Sequence, residues 1–322
     1  MPEVRRPRGD LVTDLINGQA ELVGTFAPGS PEWHAARAHG LGGSEIPAVL
    51  GLSPFESRYS LWHRKAGIIA PVAESPEMEW GTRLEHAVAD KFRDEHRELH
   101  VLKPGTYRHV DRPWQIANPD GLSWHVDLGV SEEPVGLLEV KTSPFGDKWG
   151  EAGTDAIPVH VRAQVLWYLD TFGLPWANVA VLISGLDYRE YVVEYDADEA
   201  KLLRDSAEEF LATLDAGTPP PIDDHEATYQ AVREMHPDIE PVSHELSDRV
   251  ARDFLIARAE LGAAKAVEQQ ARSAVADEMG NAHTAFWQGY KIATRQARGD
   301  GVPYVVTAKN LPDLTTEKDA AA

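Results

Sequence analysis

The sequence contains no cysteine, which excludes a disulfide framework, a thiolate zinc site and a cysteine nucleophile. Nowhere does an apolar run approach the ~20 residues that span a bilayer, and no apolar core follows Val4-Arg5-Arg6-Pro7-Arg8 to make a signal peptide. These absences predict a soluble, cytoplasmic protein with no membrane partner. Positive charge is also scarce: 31 Lys+Arg face 52 Asp+Glu, for a formal net charge of −21. On its face this disfavours a nucleic-acid partner, because phosphate binding needs local positive charge. The deficit is uneven, however. Residues 194–260 hold 18 acidic and 6 basic side chains, a net of −12, which leaves −9 for the rest of the chain. Net charge alone neither supports nor excludes DNA. What is present is ordinary for a soluble globular protein: 43% hydrophobic residues in a chain of 322, enough to bury a substantial core.

Periodicity gives the elements. Residues 1–24, with Pro2, Pro7 and scattered charges, read as an N-terminal arm carrying at most a short helix near Leu11–Ile16. Ser30 is placed to cap a helix through Trp33, Ala36 and Arg37, and a second helix is expected to start at Ser44 after a Gly-rich turn. Trp80, Leu84, Val88 and Phe92 recur every four residues and mark an amphipathic helix. Residues 106–141 read as strands joined by turns at 119–121 and 131–136, with an extra strand or longer hairpin over 124–130. Val159 to Phe172 is helical and is stopped by Gly173 and Pro175. An antiparallel pair over 176–184 and 188–195 follows, then a helix capped by Asp196 with Glu199 three residues on. The run Pro219-Pro220-Pro221 is the best candidate boundary. Beyond it an Ala-rich helix over 246–279 leads to a terminal hairpin around Gln288-Gly289 and a frayed tail from 307.

The chemistry concentrates between 116 and 145. Asn118-Pro119-Asp120-Gly121 puts a carboxylate at a turn, and Leu138-Glu139-Val140-Lys141 follows nineteen residues after Asp120. In a strand Glu139 and Lys141 point together, while Leu138 and Val140 point into a core. Two oxygen ligands can hold Mg²⁺, and an adjacent cation can orient water or offset developing charge. Glu85 sits beside the apolar stripe of its helix, and Gln164 and Tyr168 share a helix face. Taken singly, Glu85 is equally a solvated helix charge, and Gln164 and Tyr168 ordinary surface residues. Asp127 reads as a third ligand or a solvated turn residue, Trp80 and Trp167 as core, and His96 with His100 as a zinc-compatible pair lacking a third ligand. Residues 40–44 lack the Gly-Lys-Ser/Thr ending of a phosphate-binding P-loop.

Five ordered blocks resemble the phage lambda exonuclease family, the YqaJ-like viral recombinases of the PD-(D/E)XK nuclease superfamily. They are Trp33-His34-x-x-Arg37 with Gly42-Gly43-Ser44-Glu45 and Gly51-Leu52-Ser53-Pro54, then Trp80-Gly81-x-x-x-Glu85, Asn118-Pro119-Asp120-Gly121-Leu122, Leu138-Glu139-Val140-Lys141, and Ala163-Gln164-Val165-x-x-Tyr168. The resemblance covers residues 31–196. It implies an α+β, restriction-endonuclease-like core over 25–220, with a mixed central sheet flanked by helices, and a C-terminal helical extension over 221–322. It also implies a Mg²⁺-dependent (Mn²⁺ as substitute) 5′-to-3′ exonuclease on double-stranded DNA ends. In that reading Asp120, Glu139 and the Val140 carbonyl ligate metal, Glu85 acts near a second ion, Lys141 serves the attacking water, and Gln164 and Tyr168 complete the site. Arg37 and Ser44 would hold a terminal 5′-phosphate. The family further implies phage-type recombination with a single-strand annealing protein in a bacterial host cell. A ring-shaped trimer is implied too, which the added helical segment would cap, reinforce or prevent. Other readings are a superfamily nuclease of different polarity or endonucleolytic action, and a catalytically silent DNA-binding subunit.

Overall fold

Apolar residues run almost unbroken along 137–140 and 177–183, the pattern of strands covered on both faces. The computed structural model describes residues 14–27, 29–38, 40–127, 133–312 and 314. Its first compact unit runs from the N-terminus to Ile239. In chain order its elements are β1 (Leu15–Ile16), β2 (Ala20–Gly24), α1 (Pro31–Arg37), β3 (Leu41–Gly42), a 3₁₀ turn (Gly43–Glu45), α2 (Ile46–Val49), α3 (Arg58–Lys65), α4 (Pro76–Glu95), β4 (Leu99–Leu102), β5 (Thr106–His109), β6 (Gln115–Ala117), β7 (Gly121–His125), β8 (Gly136–Ser143), α5 (Val159–Phe172), β9 (Trp176–Ile183), β10 (Asp187–Glu194), α6 (Ala197–Asp215) and α7 (Glu226–Met235).

The main sheet has the order β10-β9-β8-β7-β4. Only β8 and β9 are parallel, and α5 is the crossover that parallel neighbours require. Both faces are covered. Leu138, Val140 and Ala180 pack with Val88, Ala89 and Phe92 of α4, while Leu137, Val179 and Val181 join the larger core with Val165, Leu166 and Leu169 of α5. This is the α+β arrangement expected, a mixed sheet flanked by helices. Several local signals hold to the residue. Ser30 Oγ accepts the Trp33 N–H at the start of α1, Asp196 caps α6, and Gly173 ends α5 in the left-handed conformation at φ 65°.

Three expectations are corrected. The segment read as a short helix ending at Ile16 is extended in its described part: β1 and β2 form a hairpin that adds to β5, in a second sheet ordered β1-β2-β5-β6-β3. Ile16 and Ala20 are fully buried there, so these residues are core rather than arm. Residues 1–13 lie outside the described residues. Second, the compact unit extends beyond the Pro219-Pro220-Pro221 run. Ala231 of α7 packs against Tyr59 and Ile69, and Thr228 Oγ1 donates to Ser57 Oγ at 2.6 Å. Third, Trp80 is exposed, at 62%, whereas Trp167 is buried as expected. The extra strand or hairpin expected over 124–130 is described only as far as Asp127, because residues 128–132 lie outside the described residues, as does Ser131 of the expected 131–136 turn.

The second unit spans Glu240–Ala322. It holds α8 (Asp248–Met279), N-capped by Ser247, and a sheet of β11 (Thr284–Trp287), β12 (Tyr290–Gln296) and β13 (Tyr304–Thr307). Gln288 and Gly289 have φ of 49° and 85°, the positive values that a tight two-residue hairpin turn needs. The third strand adds to the expected two-stranded hairpin and ends on Thr307, where the expected frayed tail begins; 313 and 315–322 lie outside the described residues. Among the described residues no helix is long and apolar enough to cross a membrane.

Candidate active site

Register explains why two carboxylates nineteen residues apart meet. Gly121 pairs with Leu138, so β7 begins opposite the middle of β8, and Asp120 just before it lies against β8's unpaired edge. There Asp120 Oδ2 accepts the Val140 N–H at 2.8 Å. An extended residue turns its N–H and C=O to the same edge, so the Val140 carbonyl also lies on the Asp120 side. Glu139 points to the opposite face, toward α5. Its Oε1 accepts from Gln164 Nε2 at 2.7 Å and from Lys141 Nζ, and Gln164 Nε2 lies 3.1 Å from the Tyr168 hydroxyl. Tyr168 is 3% exposed and Gln164 bonds inward, which removes the surface reading of this helix face.

The electrostatics are those of an anionic site short of positive charge. Burial, then the neighbouring Glu139, push Asp120 well above the usual carboxylate range, and Lys141 and the Val140 N–H offset this only in part. Glu139 is also pushed up by burial, against the pull of Lys141. Burial would lower Lys141, but Glu139, Asp120 and Glu85 outweigh it and hold the ammonium above its ordinary value. Glu139 is 2% exposed, and its buried Oε2 has no hydrogen-bond partner among the described residues. A buried carboxylate oxygen without a donor is costly unless something positive sits on it. Two carboxylates and a backbone carbonyl make the all-oxygen donor set of a hard dication that keeps several waters. Among the described residues no three His, Asp or Glu side chains gather closely enough to hold a metal by themselves. Glu85, on the helix of the other face, is ion-paired with Lys103 but close enough to act on the charges of Asp120, Glu139 and Lys141.

A second cluster adjoins through Tyr168. Gly42-Gly43 passes between two side chains with no room to spare: a Cβ at Gly42 would lie 2.3 Å from Arg37 Nη2, and one at Gly43 would lie 2.4 Å from Tyr168 Cε1. Arg37 Nη2 donates to Ser44 Oγ at 3.2 Å, and the guanidinium lies 4.2 Å from the Trp33 ring centroid. Ser44 does not start a regular helix; it sits in the 3₁₀ turn before the four-residue α2. Sequence reasoning missed the partners of this cluster. Glu45 bridges Arg37 at 3.2 Å and Lys65 at 2.8 Å while accepting the Gly42 N–H at 2.7 Å. Burial works against the Glu45 charge, but Arg37 and Lys65 together hold its carboxyl below the usual range. Two cations against one anion leave the cluster net positive. The Gly42-to-Glu45 spacing was a readable signal for the backbone contact, whereas nothing local pointed to Lys65 or to Lys103.

Other candidates lie elsewhere. Asp127 is exposed at the end of β7 remote from Asp120. His96 stacks on Phe92 and uses both ring nitrogens on Glu98 and Glu190, while His100 is exposed in β4.

Residues 32–174 match the family of the YqaJ-like viral recombinase domain. The protein YqaJ of Bacillus subtilis (strain 168) is 23% identical over 296 residues, 88% of each chain. Protein D345L of African swine fever virus (strain Badajoz 1971 Vero-adapted) is 32% identical over 144 residues, which are 42% of this chain and 38% of D345L. An alkaline exonuclease from Laribacter hongkongensis has a similar crystal structure, with 21% identity and a TM-score of 0.47 over 58% of this chain and 94% of that one. The matched segment contains every residue of both clusters from Arg37 to Tyr168.

Proposed function

We propose that the protein is a divalent-metal-dependent deoxyribonuclease that degrades one strand of linear duplex DNA in the 5′-to-3′ direction. The observation that carries this is the buried Asp120–Glu139 pair, pushed toward protonation and with Glu139 Oε2 partnerless among the described residues, beside the Lys141 ammonium. Mg²⁺, or Mn²⁺ in its place, would be held by Asp120, Glu139 and the Val140 carbonyl, with Glu85 near a second ion. When bound it supplies a polarised phosphoryl oxygen and a more acidic water.

The chain's own groups do the rest. Gln164 fixes Glu139 by its amide hydrogen bond and leaves Oε2 free for metal or water. Water oxygen attacks phosphorus, the P–O3′ bond breaks, and the proton lost by the water balances the one gained by the departing O3′. Lys141 offsets the charge that develops on the phosphoryl oxygens. Arg37 and Ser44, in the net-positive cluster with Lys65, would take a terminal 5′-phosphate and so set polarity. In this reading the enzyme prepares single strands for an annealing protein in phage-type recombination in the bacterial cytoplasm.

Digestion of linear duplex, single-stranded and closed circular DNA with Mg²⁺ or EDTA is the test. Metal-dependent loss of linear duplex alone, faster with a 5′-phosphate than with a 5′-hydroxyl, is expected. Cutting of circles would instead identify an endonuclease, and no cutting of any substrate a silent DNA-binding subunit. The phosphate preference should shrink by about one to two decades in Arg37→Ala, the worth of a charge-assisted contact. An undiminished preference would confine Arg37 to its structural pairing with Glu45.

A further inference from the structure

The chain between α2 and α3 and the segment leading into α5 enclose an open cleft of about 330 Å³ that no step above uses. Leu52 and Pro54 line it from the first segment and Ile157, Val159 and His160 from the second, and Lys148 lines it too. His160 lies one turn before Gln164 and two before Tyr168 on α5, so the three share a face and the cleft opens about 5.4 Å along the helix from the side chain that holds Glu139. Burial and the nearby charges of Lys141 and Lys148 keep the His160 imidazole below its usual pKa.

Phe55, next to Pro54, adjoins this cleft. It is 80% exposed yet well positioned: its ring meets His160 edge-on at 6.0 Å, and its backbone N–H donates to Ser53 Oγ at 3.1 Å in a turn pinned by a 3.0 Å contact between His225 Nε2 and the Ser53 carbonyl. An aromatic ring held in place but left in water contributes little to the fold. It does offer a π-face to a flat partner, and a cation beside such rings is the composition of a single-strand nucleic-acid platform. A free small molecule would need convergent polar groups on the floor of the cleft; the lining is apolar apart from His160, Ser53 and Lys148.

We infer that this cleft is a nucleobase subsite: it receives the base of a nucleotide adjoining the phosphate under attack, stacked against Phe55 and His160, while Lys148 contacts that strand's backbone. The inference rests on the nuclease reading above, and it adds a sequence-tolerant grip on the strand being degraded.

The test measures kcat/KM with Mg²⁺ on linear duplex, intact or carrying a single abasic residue at each of the first three positions of the degraded strand. Wild-type enzyme should lose about tenfold with the abasic residue at one of these positions. Phe55→Ala and His160→Ala should each lose about tenfold on intact DNA and lose nothing further on that abasic duplex, whereas His160→Phe keeps most of the rate. Lys148→Ala should lower the slope of log(kcat/KM) against log[salt] by about one. Equal rates for wild type and both alanine variants on intact DNA would overturn the subsite and leave the nuclease reading standing. So would an equal loss by the variants on intact and abasic DNA, which would make the rings structural. A wild-type protein that cuts no DNA would overturn both.

Discussion

Asp120 illustrates how one side chain couples stability to chemistry. Its carboxyl is held well above the usual range, so the folded, metal-free protein binds this proton more tightly than the unfolded chain does. The stabilisation that follows is complete below the ordinary Asp value of about 3.9 and is lost as pH rises through the raised value. As pH rises the raised carboxyl therefore increasingly opposes folding until a dication neutralises the pair. Asp120→Asn keeps an acceptor for the Val140 N–H and removes the charge. It should abolish cleavage while raising the metal-free melting temperature at pH 8 by about 2–4 °C, roughly 1 kcal/mol, with no gain at pH 3. Calorimetry across pH checks the stability, and retained turnover would exclude Asp120 as a ligand. Lys141→Ala acts differently. A group that offsets transition-state charge should reduce the rate by roughly 10² or more with the Mg²⁺ dependence little changed. If saturating Mg²⁺ restores the rate, Lys141 serves only to balance its neighbours.

Helix α5 is the element on which the site is assembled. Its Gln164 and Tyr168 reach Glu139 on one side and the Gly42-Gly43 backbone on the other, and the contact is close enough that a single methyl would disturb it. Gly43→Ala places a Cβ against the Tyr168 ring, where backbone or ring must shift. Such overpacking should cost about 1–3 kcal/mol and lower activity together with stability. Tyr168→Phe deletes only a buried hydroxyl and should reduce the rate while leaving the melting temperature within a few degrees. Wild-type melting and turnover in Gly43→Ala would show that the two clusters are not in contact through this turn.

For the molecule as a whole, chain cuts report where the compact units end. A cut after Ile239 keeps α7 on α3 and every residue of both clusters, so it should leave a cooperatively folding, metal-binding protein. A cut after Thr218, at the proline run, removes α7, uncovers Tyr59 and Ile69 and deletes the Thr228–Ser57 hydrogen bond. Its melting temperature should fall by at least about 4 °C. Equal melting temperatures for the two would put the boundary at the prolines after all.

Much of this was legible in the chain itself because the signals are local. Helix α5 begins and ends where its periodicity and Gly173 place it, β9 and β10 pair antiparallel as read, and Glu139 and Lys141 share a strand face because the period of a strand is two. The order of the five motif blocks also depends on sequence alone. Tertiary structure decided what lies at large sequence separation. It paired Glu45 with Lys65 and Glu85 with Lys103, turned Trp80 outward and Trp167 inward, drew residues 15–24 into a second sheet, and folded α7 back onto α3. In each case the local pattern was compatible with either outcome. A Trp at helical spacing does not reveal which face the sheet will cover, and an isolated charge does not reveal its partner, because those choices depend on which surfaces packing brings together, not on the period of the residues that form them.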